Sequence, residues 1–135
     1  MTPRYMLDTN ICIYLMKHHP PEVAAHFGDC FAGEVVMSAI TYAELEFGVA
    51  ASGANRAQNE AALADLIQDI PVAPFDARAG KAYGPVREAS RERTRDALDK
   101  LIAAHAIGLD CLLVTNNPSD FKAYPGLNIE NWVGK

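Results

Sequence analysis

Four acidic residues, far apart in the chain, stand where chain order and local pattern could bring them to one cleft. They are Asp8 in Leu7-Asp8-Thr9-Asn10, Glu44 in Thr41-Tyr42-Ala43-Glu44-Leu45, Asp99 before Leu101-Ile102-Ala103-Ala104-His105, and Asp120 after Leu113-Val114-Thr115-Asn116-Asn117. Each borders an apolar run, at a strand end or on a helix. Carboxylates crowded into one cleft repel one another unless a divalent cation balances them. Hard oxygen donors suit Mg2+ or Mn2+, and such ions activate water for attack on phosphodiesters. A cleft of that kind does the chemistry of a nuclease.

Taken singly, each acid has a plainer use. Asp8 reads as a helix N-cap accepting from the backbone of Asn10 or Ile11. Glu44 reads as a helix-face glutamate like its neighbour Glu46. Asp96 and Asp99 lie three apart on one helix face, where either favours the positive end of the helix. Asp120 can cap the turn before Phe121. His105, in an alanine-rich helix, reads as a satisfied core histidine.

The elements that would have to position these groups alternate. Arg4 to Leu7 reads as a strand, followed by a helix from Asn10 to Lys17 and a second from Pro20-Pro21 to about Phe27, since proline suits a first turn. Glu34 to Met37 reads as a strand, and Ser38 can cap a helix from Ala39 to about Ala51. Ala54 to Gln68 is helical in spacing, and Ile70 to Ala73 reads as a strand whose flanking prolines suggest a sheet edge. Asp76 opens a helix to about Arg93, with a kink expected at Gly84-Pro85. A further helix spans Ala97 to Ile107 and stops at Gly108. Cys111 to Val114 is an apolar strand of the sort covered on both faces. A turn or helix at Pro118 to Lys122 and a strand at Leu127 to Ile129 close the chain. Alternation of this kind implies an α/β fold, a three-layer α/β/α sandwich with a mainly parallel central sheet. Ligands of such sheets bind beyond the carboxyl ends of strands, where Asp8 and the segment from Thr115 to Asp120 would lie.

At 135 residues, half of them hydrophobic and 21% charged, the chain fits one domain, 1–135, with a real core. No apolar run approaches the roughly 20 residues of a membrane helix, and the N-terminus lacks the pattern of a signal peptide. Three cysteines without paired spacing suit a reducing cytoplasm rather than a disulfide framework or zinc site. The net charge of −5 argues weakly against a nucleic-acid partner. It is softened by a run of cations, Arg87, Arg91, Arg93, Arg95 and Lys100, whose plainer reading is a solvated helix face laced by Glu88 and Glu92.

Five segments in order resemble a known family. Leu7-Asp8-Thr9-Asn10, Ser38-Ala39-Ile40-Thr41-Tyr42-Ala43-Glu44-Leu45, the stretch from Asp99 to Ala106, and Leu113 through Phe121 look like the successive motifs of PIN-domain nucleases. The closing Pro125-Gly126-Leu127-Asn128-Ile129-Glu130-Asn131-Trp132 is similar to the C-terminal signature of the VapC toxins in that group. The resemblance implies a PIN-like fold in which Asp8, Glu44 and Asp99 hold a divalent metal, Mg2+ or Mn2+. For the fourth place it offers Asp120, or Asn117, where many members have an acid; Asp120 is the expectation here. Thr9, Asn10, Thr115 and Asn117 would orient the carboxylates. Asp96 departs from the pattern, since similar chains often carry glycine there; it would either enlarge the acidic pocket or face solvent.

The resemblance further implies metal-assisted endonucleolytic cleavage of RNA, leaving a 5′-phosphate and a 3′-hydroxyl, and the subgroup resemblance offers structured tRNA as the substrate. Arg87, Arg91, Arg93, Arg95 and Lys100 would guide the RNA backbone. It implies a homodimer held by a cognate VapB-type antitoxin in a toxin–antitoxin pair. Two phosphotransfer folds fit poorly: a haloacid-dehalogenase-type phosphatase needs an acid where Asn10 stands, and a receiver domain needs paired acids at the first strand. The rival from another class is a PIN-like module that grips RNA or a partner without cutting.

Overall fold

The computed structural model describes residues 2–134. Tyr5–Leu7 forms β1, Val35–Ser38 β2, Val72–Ala73 β3, Leu112–Val114 β4 and Asn128–Glu130 β5. They make one sheet in the order β3-β2-β1-β4-β5, every neighbouring pair parallel. The two-residue β3 takes the edge, as its flanking prolines, unable to donate to a ladder, require.

Alternation along the strands explains the layers. Tyr5, Leu7, Val35, Met37 and Val114 face one core, together with Ile11, Leu15, Val23, Leu45, Leu63 and Trp132. Met6, Val36 and Leu113 face the other, with Val86, Ile102, Ala103, Ala106, Phe121 and Tyr124. On the first face lie α1 (Thr9–Lys17), α2 (Pro21–Gly28), α3 (Ala39–Ala50) and α4 (Arg56–Asp69); on the second lie α5 (Ala77–Ala89), α6 (Ala97–Leu109) and the short α7 (Pro118–Phe121). Successive strand residues point to opposite faces, so a sheet covered twice needs unbroken apolar strands.

Beyond shifts of one or two residues, such as β3 starting at Val72 rather than Ile70, three boundaries are informative. Helix α5 ends at Ala89 rather than near Arg93, with Ser90 donating its hydroxyl to the Val86 carbonyl at 2.7 Å. Gly108 does not stop α6; the helix runs to Leu109 and closes on Asp110 in the left-handed region, φ 57°. Gly108 serves packing instead. A Cβ there would stand 2.9 Å from the Ala79 backbone nitrogen, so a glycine lets α6 lie directly on α5. Between Ser52 and α4 the chain makes a single 3-10 turn, Gly53–Asn55, so the fourth helix begins at Arg56.

The chain steps from β1 outward through β2 to β3, then returns to place β4 on the free side of β1. The connections leaving β1 and β4 therefore pass to opposite faces, into α1 and α7, opening a crevice at the carboxyl ends of those two strands. The Asp8 N–H donates to the Val114 carbonyl at 3.0 Å and ties the strand ends together at its floor.

Candidate active site

Asp8 leaves β1 and caps α1. Its backbone is extended, and its Oδ1 accepts from the Ile11 N–H at 2.9 Å. The plain capping role and a place in the cleft are thus filled by one residue, which is buried. Burial pushes its carboxyl above the ordinary value. The Thr115 side chain and the Ile11 and Asn10 N–H groups pull the other way, and Glu44 adds a further upward push.

Ser38 ends β2 and caps α3 by accepting from the Ile40 N–H at 3.0 Å. The helix so started brings Thr41, fully buried, and Glu44, one turn on, toward α1. The Thr9 hydroxyl donates to Glu44 Oε1 at 2.6 Å, joining α1 to α3 across the cleft. Asp99 rides in the first turn of α6, half-buried, and Asp120 in α7 is exposed.

Asp8, Thr9, Asn10, Glu44, Asp99, Asn117 and Asp120 line one cavity of about 210 Å3, with Ile102 and Phe121 as its apolar wall. The carboxylates share a field. Asp99 is pushed up to about 6, first by burial and then by the charges of Asp120, Glu44, Asp8 and Asp96. They line the cleft without gripping a common point: among the described residues no three Asp, Glu, His or Cys side chains are grouped tightly enough to hold an ion. Thr115 is fully buried at the end of β4, its hydroxyl accepting from the Asn117 N–H at 3.0 Å. The Asn117 carbonyl accepts from the Asp120 N–H, also at 3.0 Å.

A second hollow of about 420 Å3 shares Asp99 and Asp120 with the first and is completed by Arg93, Thr94, Arg95 and Asp96. The expected cation run divides here. Arg95 is exposed and lines the hollow. Arg87 lies over the Tyr83 ring at 6.0 Å, and Arg91, in the turn beyond α5, pairs with Glu88 at 3.5 Å on the solvent side. Lys100 does not belong to an RNA-facing surface. It is buried, its Nζ 3.1 Å from Asp96 Oδ1 and donating to the Arg93 carbonyl at 2.6 Å.

Asp96 corrects the solvent-facing option drawn from the sequence. It does not face solvent, and it borders the arginine-lined hollow rather than the carboxylate cleft itself. It is buried and receives the Tyr124 hydroxyl, the Lys100 ammonium and Arg93 Nε at 3.3 Å. Burial alone would raise its carboxyl, but the Tyr124 and Lys100 hydrogen bonds and the two cations outweigh it and hold the group below its ordinary value. Tyr124 is the residue that sequence reasoning missed, since 28 positions separate it from Asp96 and no local spacing links them. His105 is fully buried, its Nδ1 2.7 Å from Ser38 Oγ, and Phe75 packs edge-on against it.

The PIN domain family model matches residues 5–127. The chain is 36% identical over 132 residues to Ribonuclease VapC2 of Rickettsia felis, covering 95% of this chain and 97% of that protein. It is 34% identical over 131 residues to the tRNA(fMet)-specific endonuclease VapC of Shigella flexneri, covering 96% and 98%. Among solved structures, DNA-bound VapBC from Salmonella typhimurium superimposes with a TM-score of 0.87 at 32% identity, over 96% of this chain and 98% of that one.

Proposed function

The chain belongs to the PIN-domain family, and from that premise we propose that it is a divalent-metal-dependent endoribonuclease, the toxin of a VapBC-type toxin–antitoxin pair. The observation that carries the reading is the convergence of Asp8, Glu44, Asp99 and Asp120, from four separate elements, on one cleft at the switch point of a parallel sheet. Its donors are all hard oxygens, and the Asp99 carboxyl, raised first by burial and then by the four neighbouring acids, sits in negative charge that a cation would offset. Mg2+ or Mn2+ fits that donor set, with Asp8, Glu44, Asp99 and Asp120 as its holders. When bound, the ion would lower the pKa of water and polarise a phosphodiester.

The chain's own residues do the rest. The Ile11 N–H fixes Asp8, and the Thr9 hydroxyl fixes Glu44, so two of the four carboxylates are oriented before anything binds. Asp99 and Asp120 stand at the junction with the arginine-lined hollow, where an RNA strand would pass with Arg95 against its phosphates. Among the described residues no histidine lines the carboxylate cleft, and His105 is fully buried against Ser38 and Phe75, so side-chain acid–base attack by the 2′-hydroxyl is not served. Hydrolysis by water instead leaves a 5′-phosphate and a 3′-hydroxyl. We take structured tRNA as the substrate class, on the strength of the tRNA(fMet)-specific relative. A VapB-type antitoxin is the partner, supported by the VapBC structures the fold matches, and a cytoplasmic homodimer completes the working assembly. Among the described residues no helix is long and apolar enough to cross a membrane.

The test is cleavage of total RNA by protein freed of any partner, with Mg2+ or Mn2+ and with EDTA. Discrete fragments that vanish with chelator and with Asp99→Asn support the reading. Folded protein that binds RNA but never cuts it, metal supplied, would replace it with the non-cleaving module.

A further inference from the structure

Asp99 and Asp120 present a mechanical problem. They sit on different elements yet line the same two hollows, so their like charges share one space. Repulsion between them favours separating α7 from the start of α6. Against it stands a buried set of groups that the carboxylate chemistry does not use. Asp96, just before α6, holds Lys100 one turn along at 3.1 Å, accepts the Tyr124 hydroxyl, and takes Arg93 Nε at 3.3 Å. Lys100 in turn binds the Arg93 carbonyl at 2.6 Å, so the backbone of the preceding loop is fastened to α6. Arg93 then reaches over the Tyr124 ring, 5.5 Å from its centroid, and donates Nη2 to the Asp120 backbone carbonyl at 3.2 Å. Tyr124 itself packs edge-on against Phe121, the residue after Asp120.

We propose that Asp96, Lys100, Tyr124 and Arg93 form a clamp that fixes the separation of Asp99 and Asp120, with Arg93 as its positioning residue. The inference rests on the reading of those two carboxylates as metal donors. Arg93 suits the task because its planar fork serves two acceptors on different elements at once while its face lies on an aromatic ring; a lysine ammonium reaches one point and stacks poorly. It is therefore not one of the cations free for RNA, and Arg95, exposed in the same hollow, is. The geometry also accounts for an acid at position 96. Once a lysine is buried beside this loop, the only inexpensive arrangement is a carboxylate against it.

Asp96→Asn is a poor probe, because it strands a buried ammonium and risks the fold. Arg93→Lys is a better one, since it keeps the charge that RNA would feel and removes the fork. Calorimetric titration of the partner-free protein with Mn2+ alone should show affinity weakened by roughly 10- to 100-fold. RNA binding in EDTA should be unchanged and circular dichroism native. Tyr124→Phe, which keeps the ring and deletes the hydroxyl to Asp96, should weaken Mn2+ binding in the same direction, and it decides the matter if Arg93→Lys does not fold. Mn2+ affinity indistinguishable from wild type in the folded variant overturns the clamp. So does a loss confined to RNA binding, which would make Arg93 a phosphate contact. Failure of the underlying reading looks different: the wild type itself would then bind Mn2+ no better than Asp99→Asn.

Discussion

Removing the charge of Asp99 should stabilise the metal-free protein while abolishing its activity. Burial and four neighbouring acids lift its carboxyl from 3.8 to about 6. An acid raised in the folded state opposes folding once ionised. The cost is absent below the unfolded value of 3.8, grows as pH rises, and is complete above about 6. A gap of about two pH units corresponds to a ceiling near 3 kcal/mol. Asp99 is only half-buried, and solvent screening reduces the figure to about 1–2 kcal/mol. In EDTA near pH 7.5, Asp99→Asn should therefore melt roughly 3–10 °C above wild type. The gain should shrink toward pH 4, where the wild-type carboxyl is protonated in both states. Saturating Mg2+ or Mn2+ should reverse the order, since a ligand at about 100 times its Kd adds about 2.7 kcal/mol to the protein that binds it. Differential scanning fluorimetry across pH, with and without metal, reads all three. No gain in EDTA near pH 7.5, or one of equal size near pH 4, would refute the argument that burial and the neighbouring acids penalise the ionised Asp99.

Other perturbations separate the remaining roles. Thr9→Val leaves the Glu44 carboxylate without its 2.6 Å donor, and Mn2+ affinity measured by titration should fall about tenfold or more. Arg95→Ala should weaken RNA binding and reduce the slope of log affinity against log salt by about one, an outcome filter-binding assays at several salt concentrations would check. Gly108→Ala drives a methyl into the Ala79 backbone, for a loss of about 1–3 kcal/mol in urea unfolding, with no change in metal affinity. His105 is held below its ordinary 6.5 by burial, with Asp76 and the Pro74 carbonyl pulling weakly upward. The unfolded chain therefore takes up the proton first as pH falls below about 6.5, so stability is full above that value and declines beneath it; His105→Gln should flatten this part of the urea-midpoint profile.

Much of the site was legible because each part carries a local signature. An aspartate between an apolar strand and a helix announces both a cap and a place at the carboxyl edge of a sheet, and Asp8 is both. Ser38 announces its helix in the same way, and the uninterrupted strand before Thr115 announces a central position. Lone residues were misjudged where the deciding partner is remote. Gly108 carries the usual stop signal, yet a second helix that no local pattern shows makes it a contact point. Lys100 looks like one more cation in a basic run; only Asp96 and the Arg93 carbonyl, closed around it by the turn into α6, make it a core residue.

Sequence alone thus determined the residue types, the order of elements and the parallel three-layer plan, because strand and helix periodicities, caps and prolines act over a few neighbouring residues. Tertiary structure alone decided which charges are free and which are spent. Whether a carboxylate or cation meets water, a like charge or a counter-ion depends on groups tens of residues away. Asp96 and Tyr124, brought together across the chain in a buried place, show how far that decision lies from any local pattern.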